Sequence, residues 1–220
     1  MTRAGRYGCA VVARLSIVRV AARADSLAAA QCETDGSGNQ QALQSLNALL
    51  GKDHGNTAAY LVHARCFYFL GAYAPAVQNA SEVIRRDPSP VHPDAHDGRA
   101  LTYVREFLGK DREALDDFAA VIRLDPKHVG PHKVRAGIYS RYDQCQSVLQ
   151  DSEMVLKLNS AAPSAYCDVG FAHYALGPDA EGRRCLNTCY QKDPSPQTRG
   201  YYETEVRKVL VARQARGGGG

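Results

Sequence analysis

Two pairs of histidines stand four residues apart, His92 with His96 and His128 with His132. On one continuous helix that interval puts both imidazoles on the same face, where they could ligate zinc. Pro93 interrupts the first pair and Pro131 the second. A proline breaks a helical run on its N-terminal side, and no third ligand is evident. The pattern therefore predicts loop or helix-start histidines and no metal. Seven cysteines lie at positions 9, 32, 66, 145, 167, 185 and 189. No C-x-x-C occurs, and an odd count argues against a simple disulfide framework. Cys185 and Cys189, one helical turn apart, have poor geometry for a disulfide. The cysteines read as small, buried packing residues. The phosphate-cradling G-x-x-x-x-G-K-[ST], the dinucleotide G-x-G-x-x-G and the nucleophile elbow G-x-S-x-G do not occur, so neither catalysis nor a cofactor is expected. Asn79-Ala80-Ser81 has the form of a glycosylation sequon but falls inside a helical stretch.

The side chains left with binding chemistry are aromatics and cations at recurring intervals: Arg65, Tyr68 and Phe69; Arg99 and Tyr103; Lys133 and Arg141; Phe171 and Tyr174. Aromatic rings offer large apolar contact area. Arg or Lys beside them can pair with acids or carbonyls, a combination suited to a bound polypeptide. Whether they act together depends on the elements that carry them.

Those elements follow from an internal period. A stop of Asp or Asn and a following residue recurs at Asp87-Pro88, Asp125-Pro126, Asn159-Ser160 and Asp193-Pro194, with a weaker copy at Asp53-His54. The intervals are 34, 38, 34 and 34 residues. Each unit keeps step internally. A small residue sits midway along a first helix (Ala30, Ala64, Thr102, Ala136, Gly170), and a turn residue follows (Ser37, Gly71, Gly109, Asp143, Gly177). A slim residue opens the second helix (Ala42, Ala76, Ala114, Val148, Gly182), and an apolar residue closes it (Leu49, Val83, Val121, Val155, Cys189). Two helices that cross closely need small residues at the crossing. A turn needs a residue tolerant of an unusual backbone angle, and a proline after the second helix stops it. The pattern predicts helix pairs at 57–70 with 73–86, 95–108 with 111–124, 131–142 with 145–158, and 163–176 with 179–192. The four extra residues are assigned to 89–94. Tyr201, Tyr202, Val206, Val209, Leu210 and Arg213 recur at helical spacing and predict a capping helix over 197–214.

On these residues the chain resembles the tetratricopeptide-repeat (TPR) family over 57–196, and more loosely from 23. The resemblance implies an all-α TPR superhelix, an α-α solenoid of about four to five helical hairpins plus a C-terminal capping helix. The repeats would occupy 25–196, as units 57–90, 95–128, 129–162 and 163–196 with a degenerate unit near 23–56. A flexible glycine tail would follow at 215–220. In this architecture the first helices line a concave groove. The positions expected to point inward are Leu61, Val62, Arg65, Tyr68 and Phe69; His96, Arg99, Ala100, Tyr103 and Phe107; Lys133, Val134 and Arg141; and Cys167, Phe171 and Tyr174. The function implied is non-catalytic binding of unfolded clients or a partner peptide. One use of the family is to clamp the C-terminal Glu-Glu-Val-Asp of cytosolic chaperones with a Lys-Asn-Asn-Lys-Arg set. The matching positions here read Leu61, Arg65, Ala100, Gly130 and Val134, so that clamp is not expected.

From about 40 to 212 the chain also resembles the TPR stretch of the ER-lumenal DnaJ co-chaperone family (DnaJ homologue subfamily C, member three). The resemblance rests on the insertion after Asp87-Pro88, on His132-Lys133-Val134-Arg135-Ala136-Gly137 with Leu156-Lys157-Leu158, and on His173-Tyr174-Ala175-Leu176-Gly177 leading to Tyr201-Tyr202 and Val206-Arg207-Lys208-Val209. It implies a chaperone or co-chaperone TPR domain in the endoplasmic reticulum lumen, with Hsp70-type chaperones engaged indirectly. That family also has a J domain with a His-Pro-Asp loop. Here the tripeptide His92-Pro93-Asp94 lies between two repeats, without room for flanking J-domain helices. The alternative function is a scaffold that binds one defined peptide or subunit; the alternative compartments are the cytoplasm and the mitochondrion.

Charge narrows the partners. The formal net charge is +4, but Arg3, Arg6, Arg14, Arg19 and Arg23 supply +5 over 1–24, where no acid occurs; the other 22 basic residues face 23 acidic ones. The repeat body is near neutral, which argues against nucleic acid. No run of eighteen apolar residues predicts a membrane span. Residues 1–24 are a candidate targeting segment: Ala22-Arg23-Ala24 resembles a secretory cleavage site, the arginines equally suit a mitochondrial presequence, and an untargeted N-terminus fits as well.

Overall fold

The computed structural model describes residues 32, 36–86, 92–105, 109–177 and 179–217. The expectations for 1–24, Ala30, Asp87-Pro88, Phe107 and the last three glycines lie outside the described residues. Among those described, every regular element is an α-helix: α1 Gly36–Lys52, α2 Thr57–Phe69, α3 Tyr73–Arg86, α4 Pro93–Arg105, α5 Asp111–Leu124, α6 Val129–Arg141, α7 Cys145–Leu158, α8 Pro163–Leu176, α9 Asp179–Lys192 and α10 Pro196–Gly217. They fall into two compact units that divide after Asp117.

In the first unit the local signals act as the sequence implies. Asn56 caps α2, its side chain accepting from the Ala59 amide at 2.9 Å, which satisfies one of the donors orphaned at a helix start. Gly71 turns the chain with φ of +73°, and the Ala72 amide reaches back to the Phe67 carbonyl at 2.9 Å. The left-handed backbone is open to glycine at no steric cost. The hairpin α2–α3 closes over Ala64, Ala76, Ala80 and Val83, all buried. Helix α1 lays Ala42, Leu46 and Leu50 against Ala59, Val62 and Cys66. It runs through Ser37, where a turn was expected.

The second hairpin corrects the expected register. Helix α4 starts at Pro93, 36 residues after Thr57 and 36 before Val129. Ala100, fully buried, therefore corresponds to Ala64 and Ala136, and the role assigned to Thr102 belongs to Ala100. Thr102 is buried too, but its hydroxyl donates to the Gly98 carbonyl at 2.6 Å. The four extra residues do not all lie at 89–94. Two precede α4, and two fall between Ala100 and the turn at Gly109, whose φ is +64°.

In the second unit, Phe118 and Val121 are buried at the start, and α6–α7 and α8–α9 form successive hairpins. Asp143 takes the turn after α6 with φ of +54°, a conformation Asp tolerates better than most residues. Helices α8 and α9 cross at two glycines. A Cβ on Gly170 would lie 2.9 Å from the Leu186 amide nitrogen and 3.0 Å from the Gly182 carbonyl oxygen. One on Gly182 would lie 2.9 Å from the Gly170 carbonyl oxygen and 2.7 Å from the Tyr174 ring. Backbone meets backbone there, so neither position has room for a methyl group. Pro93, Pro163 and Pro196 each open a helix, where the missing amide costs nothing. Pro131 is tolerated in the first turn of α6 for the same reason.

The cysteines depart from expectation. Cys32–Cys66 and Cys167–Cys189 are disulfides, with Cα separations of 5.0 and 5.3 Å, while Cys145 and Cys185 are free thiols. An odd count does not prevent some of the cysteines from pairing, and the one pair weighed, Cys185 with Cys189, lies along a single helix. The actual partners face each other across packed helices. Burial pushes both free thiols above the usual range, which disfavours the reactive thiolate.

Gly170→Ala should lower the thermal midpoint despite alanine's better helix propensity, because overpacking against backbone costs on the order of 1–3 kcal/mol. Gly137→Ala, where a Cβ meets nothing within 4 Å, should hold or raise it. Equal midpoints for the two variants in a calorimetric scan would contradict this account of the crossing.

Candidate polypeptide-binding surface

The nine candidate groove residues separate into distinct environments. In the first unit, Arg65 and Phe69 are exposed on α2, Phe69 at 49% of its surface. Tyr68 stands beside them, its ring edge-on to Phe69 at 5.5 Å and to Tyr73 at 6.3 Å. The Arg105 guanidinium of α4 lies 5.6 Å from the Tyr68 ring centre and donates to the Tyr68 hydroxyl at 3.3 Å. These contacts hold Tyr68 in place as one wall of a hollow of about 310 Å³ between α2 and α4. Leu61, Ala64, Arg65, Tyr68 and Phe69 line its α2 side, Asp94, Asp97, Gly98, Leu101 and Thr102 its α4 side, and Ala80 closes it from α3.

Arg99 and Tyr103 are not part of that surface. Tyr103 is only 9% exposed, with the Lys110 ammonium 5.1 Å from its ring centre. Arg99 turns onto α5, donating from Nε and Nη2 to the two Asp117 carboxylate oxygens at 2.7 and 2.8 Å and from Nη1 to the Ser81 hydroxyl at 3.0 Å. The two-residue shift of α4 is the reason. It rotates Arg99 and Tyr103 away and brings Asp97 and Leu101, which stand 36 residues after Leu61 and Arg65, into the lining. Aligning Ala100 with Ala64 in the sequence would have found them.

The second unit divides its candidates similarly. Lys133 and Arg141 are exposed on α6, Phe171 is half-buried on α8, and Tyr174 is 8% exposed. Tyr174 is a core residue: its ring packs where Gly182 leaves space, in a cluster with Cys167, Leu186 and Cys189. Helix α10 seals this cluster with Tyr202, Val206 and Leu210. The Tyr202 hydroxyl donates to Asp168 Oδ1 at 2.6 Å. Burial raises the Asp168 carboxyl above the usual range against the opposing effects of Tyr202 and Lys133, and burial together with Asp168 raises the Tyr202 phenol. Arg213 donates to the Tyr174 carbonyl at 3.1 Å and pairs with Asp179, tying the end of α10 across the α8–α9 turn.

The histidines have a structural role that spacing alone did not suggest. His63 Nδ1 lies 2.9 Å from Asn79 Oδ1. Because an amide oxygen only accepts, Nδ1 is the donor. Asn79 in turn donates to the Pro75 carbonyl at 2.8 Å, so the sequon asparagine is tied into its hairpin. His96 Nδ1 meets Asp117 Oδ1 at 2.7 Å, beside Arg99. In the second unit His132 Nδ1 meets Asp151 Oδ1 at 2.9 Å, with Arg135 donating from Nε and Nη2 at 2.7 Å each. Among the described residues no cluster of three potential metal ligands occurs, and no helix is long and apolar enough to cross a membrane.

Asp117 supplies a pH test. Burial works against its carboxylate, but the hydrogen bonds and charges of Arg99 and His96 outweigh it and hold the group below the usual range. A folded pKa below the unfolded one adds stability above about pH 4, lost as pH falls through the folded value. Asp117→Asn strands Arg99, about a fifth of whose side chain is exposed. At pH 7 this should cost on the order of 1–3 kcal/mol, discounted from a fully buried pair. The gap in thermal midpoint between variant and parent should narrow as pH is lowered from 5 towards 3. A gap constant across that range would mean the ion pair does not carry the effect.

No family model matches the chain. Mouse tetratricopeptide repeat protein 34 is 27% identical over 143 aligned positions, covering 53% of this chain but only 25% of that relative. Among solved structures, a tetratricopeptide repeat protein from Parabacteroides merdae superposes with a TM-score of 0.68 at 16% identity, over 86% of this chain and 77% of its own. YrrB, described as a TPR protein with an unusual peptide-binding site, gives 0.67 at 12% identity over 76% and 84%. MamA from Desulfovibrio magneticus gives 0.65 at 15% identity over 79% and 97%. With its helical hairpins in this order and these solved folds beside it, the chain has the all-α fold of tetratricopeptide-repeat solenoids.

Proposed function

We propose that this chain is a non-catalytic protein-binding module that holds unfolded or extended polypeptide segments on the first-helix face of its repeats, in the manner of a chaperone or co-chaperone TPR domain. The observation that carries the reading is the wall of Tyr68 and Phe69 beside an open hollow. Phe69 is half exposed, and Tyr68 is held by Arg105. Rigid, partly exposed aromatics bind apolar side chains at low entropic cost. His92-Pro93-Asp94 fits this reading as the opening of α4, where Asp94 borders the hollow, and any Hsp70 would then be engaged indirectly. The second reading, a scaffold for one defined partner, is favoured by the shape of the hollow, which suits one inserted side chain better than a featureless client.

The disulfides support an oxidising compartment, since such bonds persist in secretory spaces and are rare in the cytosol. This favours the endoplasmic reticulum lumen over cytoplasm or mitochondrion. Thiol trapping of the protein taken from cells should leave Cys32, Cys66, Cys167 and Cys189 unlabelled until reductant is added; immediate labelling of all four would place it in a reducing compartment. Reduction should also lower stability by roughly 2–5 kcal/mol per bond.

Tyr68→Ala with Phe69→Ala should weaken binding of a permanently unfolded protein, reduced and carboxymethylated, by at least about tenfold. The thermal midpoint should stay nearly unchanged, because partly exposed side chains contribute little to folding. Fluorescence anisotropy reads the affinity, and several unrelated unfolded probes separate a general holdase from a scaffold, which would bind none of them well. Unchanged affinity in the folded variant would remove this surface from the binding site.

A further inference from the structure

We infer that the hollow between α2 and α4 is a side-chain subsite that selects a large apolar residue, leucine or phenylalanine, with lysine or arginine next to it in the bound chain. The inference rests on the polypeptide-binding reading above and specifies its recognition element. Three observations carry it. First, Gly98 lines the hollow and an added Cβ there would meet nothing within 4 Å, so this position faces open volume and not a neighbouring helix. Second, the enclosure is mainly apolar. Ala64, Leu61, Leu101 and Phe69 line it, and about 310 Å³ accommodates one large side chain but not a folded element. Third, α4 places Asp94 and Asp97 in the lining against the single cation Arg65, so the charged groups lining the site sum to −1. A basic neighbour on the occupant complements that balance, and an acidic one opposes it. The near-neutral repeat body gives no general preference for cations, so any such preference would originate locally.

The test uses the full chain and three labelled hexapeptides, Ser-Gly-Leu-Lys-Gly-Ser, Ser-Gly-Leu-Glu-Gly-Ser and Ser-Gly-Ala-Lys-Gly-Ser, titrated at low and high salt. The Leu-Lys peptide should bind most tightly. The Ala-Lys peptide should lose about tenfold. The Leu-Glu peptide should lose roughly threefold at low salt and converge on the Leu-Lys value at high salt. Gly98→Leu fills the hollow from within a helix and improves local helix propensity. It should melt no lower than the parent and should bind the Leu-Lys peptide at least about tenfold more weakly. Gly98→Ala, a smaller plug, should fall between. Asp94→Asn should erase the difference between Leu-Lys and Leu-Glu while sparing that between Leu-Lys and Ala-Lys. Equal binding of all three peptides, or a folded Gly98→Leu chain that binds like the parent, would overturn the subsite. If the parent binds unfolded protein but not the Leu-Lys peptide, only this inference falls; if it binds neither, the groove reading falls with it. Peptide binding that disappears because the chain self-associates, seen by sedimentation, would assign the hollow to a second copy instead.

Discussion

Everything in this molecule depends on how closely two helices of a hairpin can approach. At Gly170 and Gly182 the approach reaches backbone contact, and there is no space for a methyl group. In the α2–α3 and α4–α5 hairpins alanines stand at the corresponding positions, Ala64 and Ala76, and Ala100 and Ala114, and all are buried. Close crossing goes with deep burial of the larger residues beside it, Val83 in the first unit and Phe118, Val121 and Val155 in the second, since interiors are closely packed. It also explains why the period is expressed most faithfully in small residues. A large side chain at the crossing would push the helices apart and strip contacts from every layer around it.

A second recurring device lies beside the crossing. Three residues into the register of each second helix, counted from its slim opening residue, stand Asn79, Asp117, Asp151 and Cys185. In the first three hairpins this position accepts from a histidine of the first helix. Two of these acceptors are carboxylates that also take an arginine fork. Buried polar groups cost free energy unless satisfied, so the arrangement rewards one relative orientation of the two helices and penalises sliding. In the fourth hairpin the position holds a buried thiol, and the link across the hairpin is made one turn later by Cys189 with Cys167.

How much of this was legible in the sequence depended on whether a feature was periodic. The helix pairs lie within about three residues of where the period placed them, because caps, turns and small residues repeat together and each has a local cause. The register of α4 was not legible from the stops alone. An interval of 38 says that four residues are extra but not where they enter, and their even division around α4 moves Arg99 and Tyr103 off the face that bears Asp97 and Leu101. The polar links across each hairpin were visible only as isolated histidines, since their partners lie 16 to 21 residues away. The disulfides had a signal that went unused: Cys32 and Cys66 are 34 residues apart, one full period, and so occupy equivalent positions in neighbouring repeats. The hollow is lined in part by Gly98, and a helical glycine reads in sequence only as a weak helix former.

A repeat array held only by neighbour contacts unravels from its outermost units, because those have one neighbour and not two. Here two of the hairpins also carry covalent links. Cys32–Cys66 ties the segment ahead of α1 to α2, and Cys167–Cys189 closes the last hairpin beneath α10. The α4–α5 and α6–α7 hairpins carry no disulfide among the described residues and depend on ion pairs and packing alone. Under oxidising conditions each bond limits the local opening of the helices it joins. Backbone amides of α2 and of the α8–α9 hairpin should then exchange with solvent more slowly in the oxidised protein than after reduction.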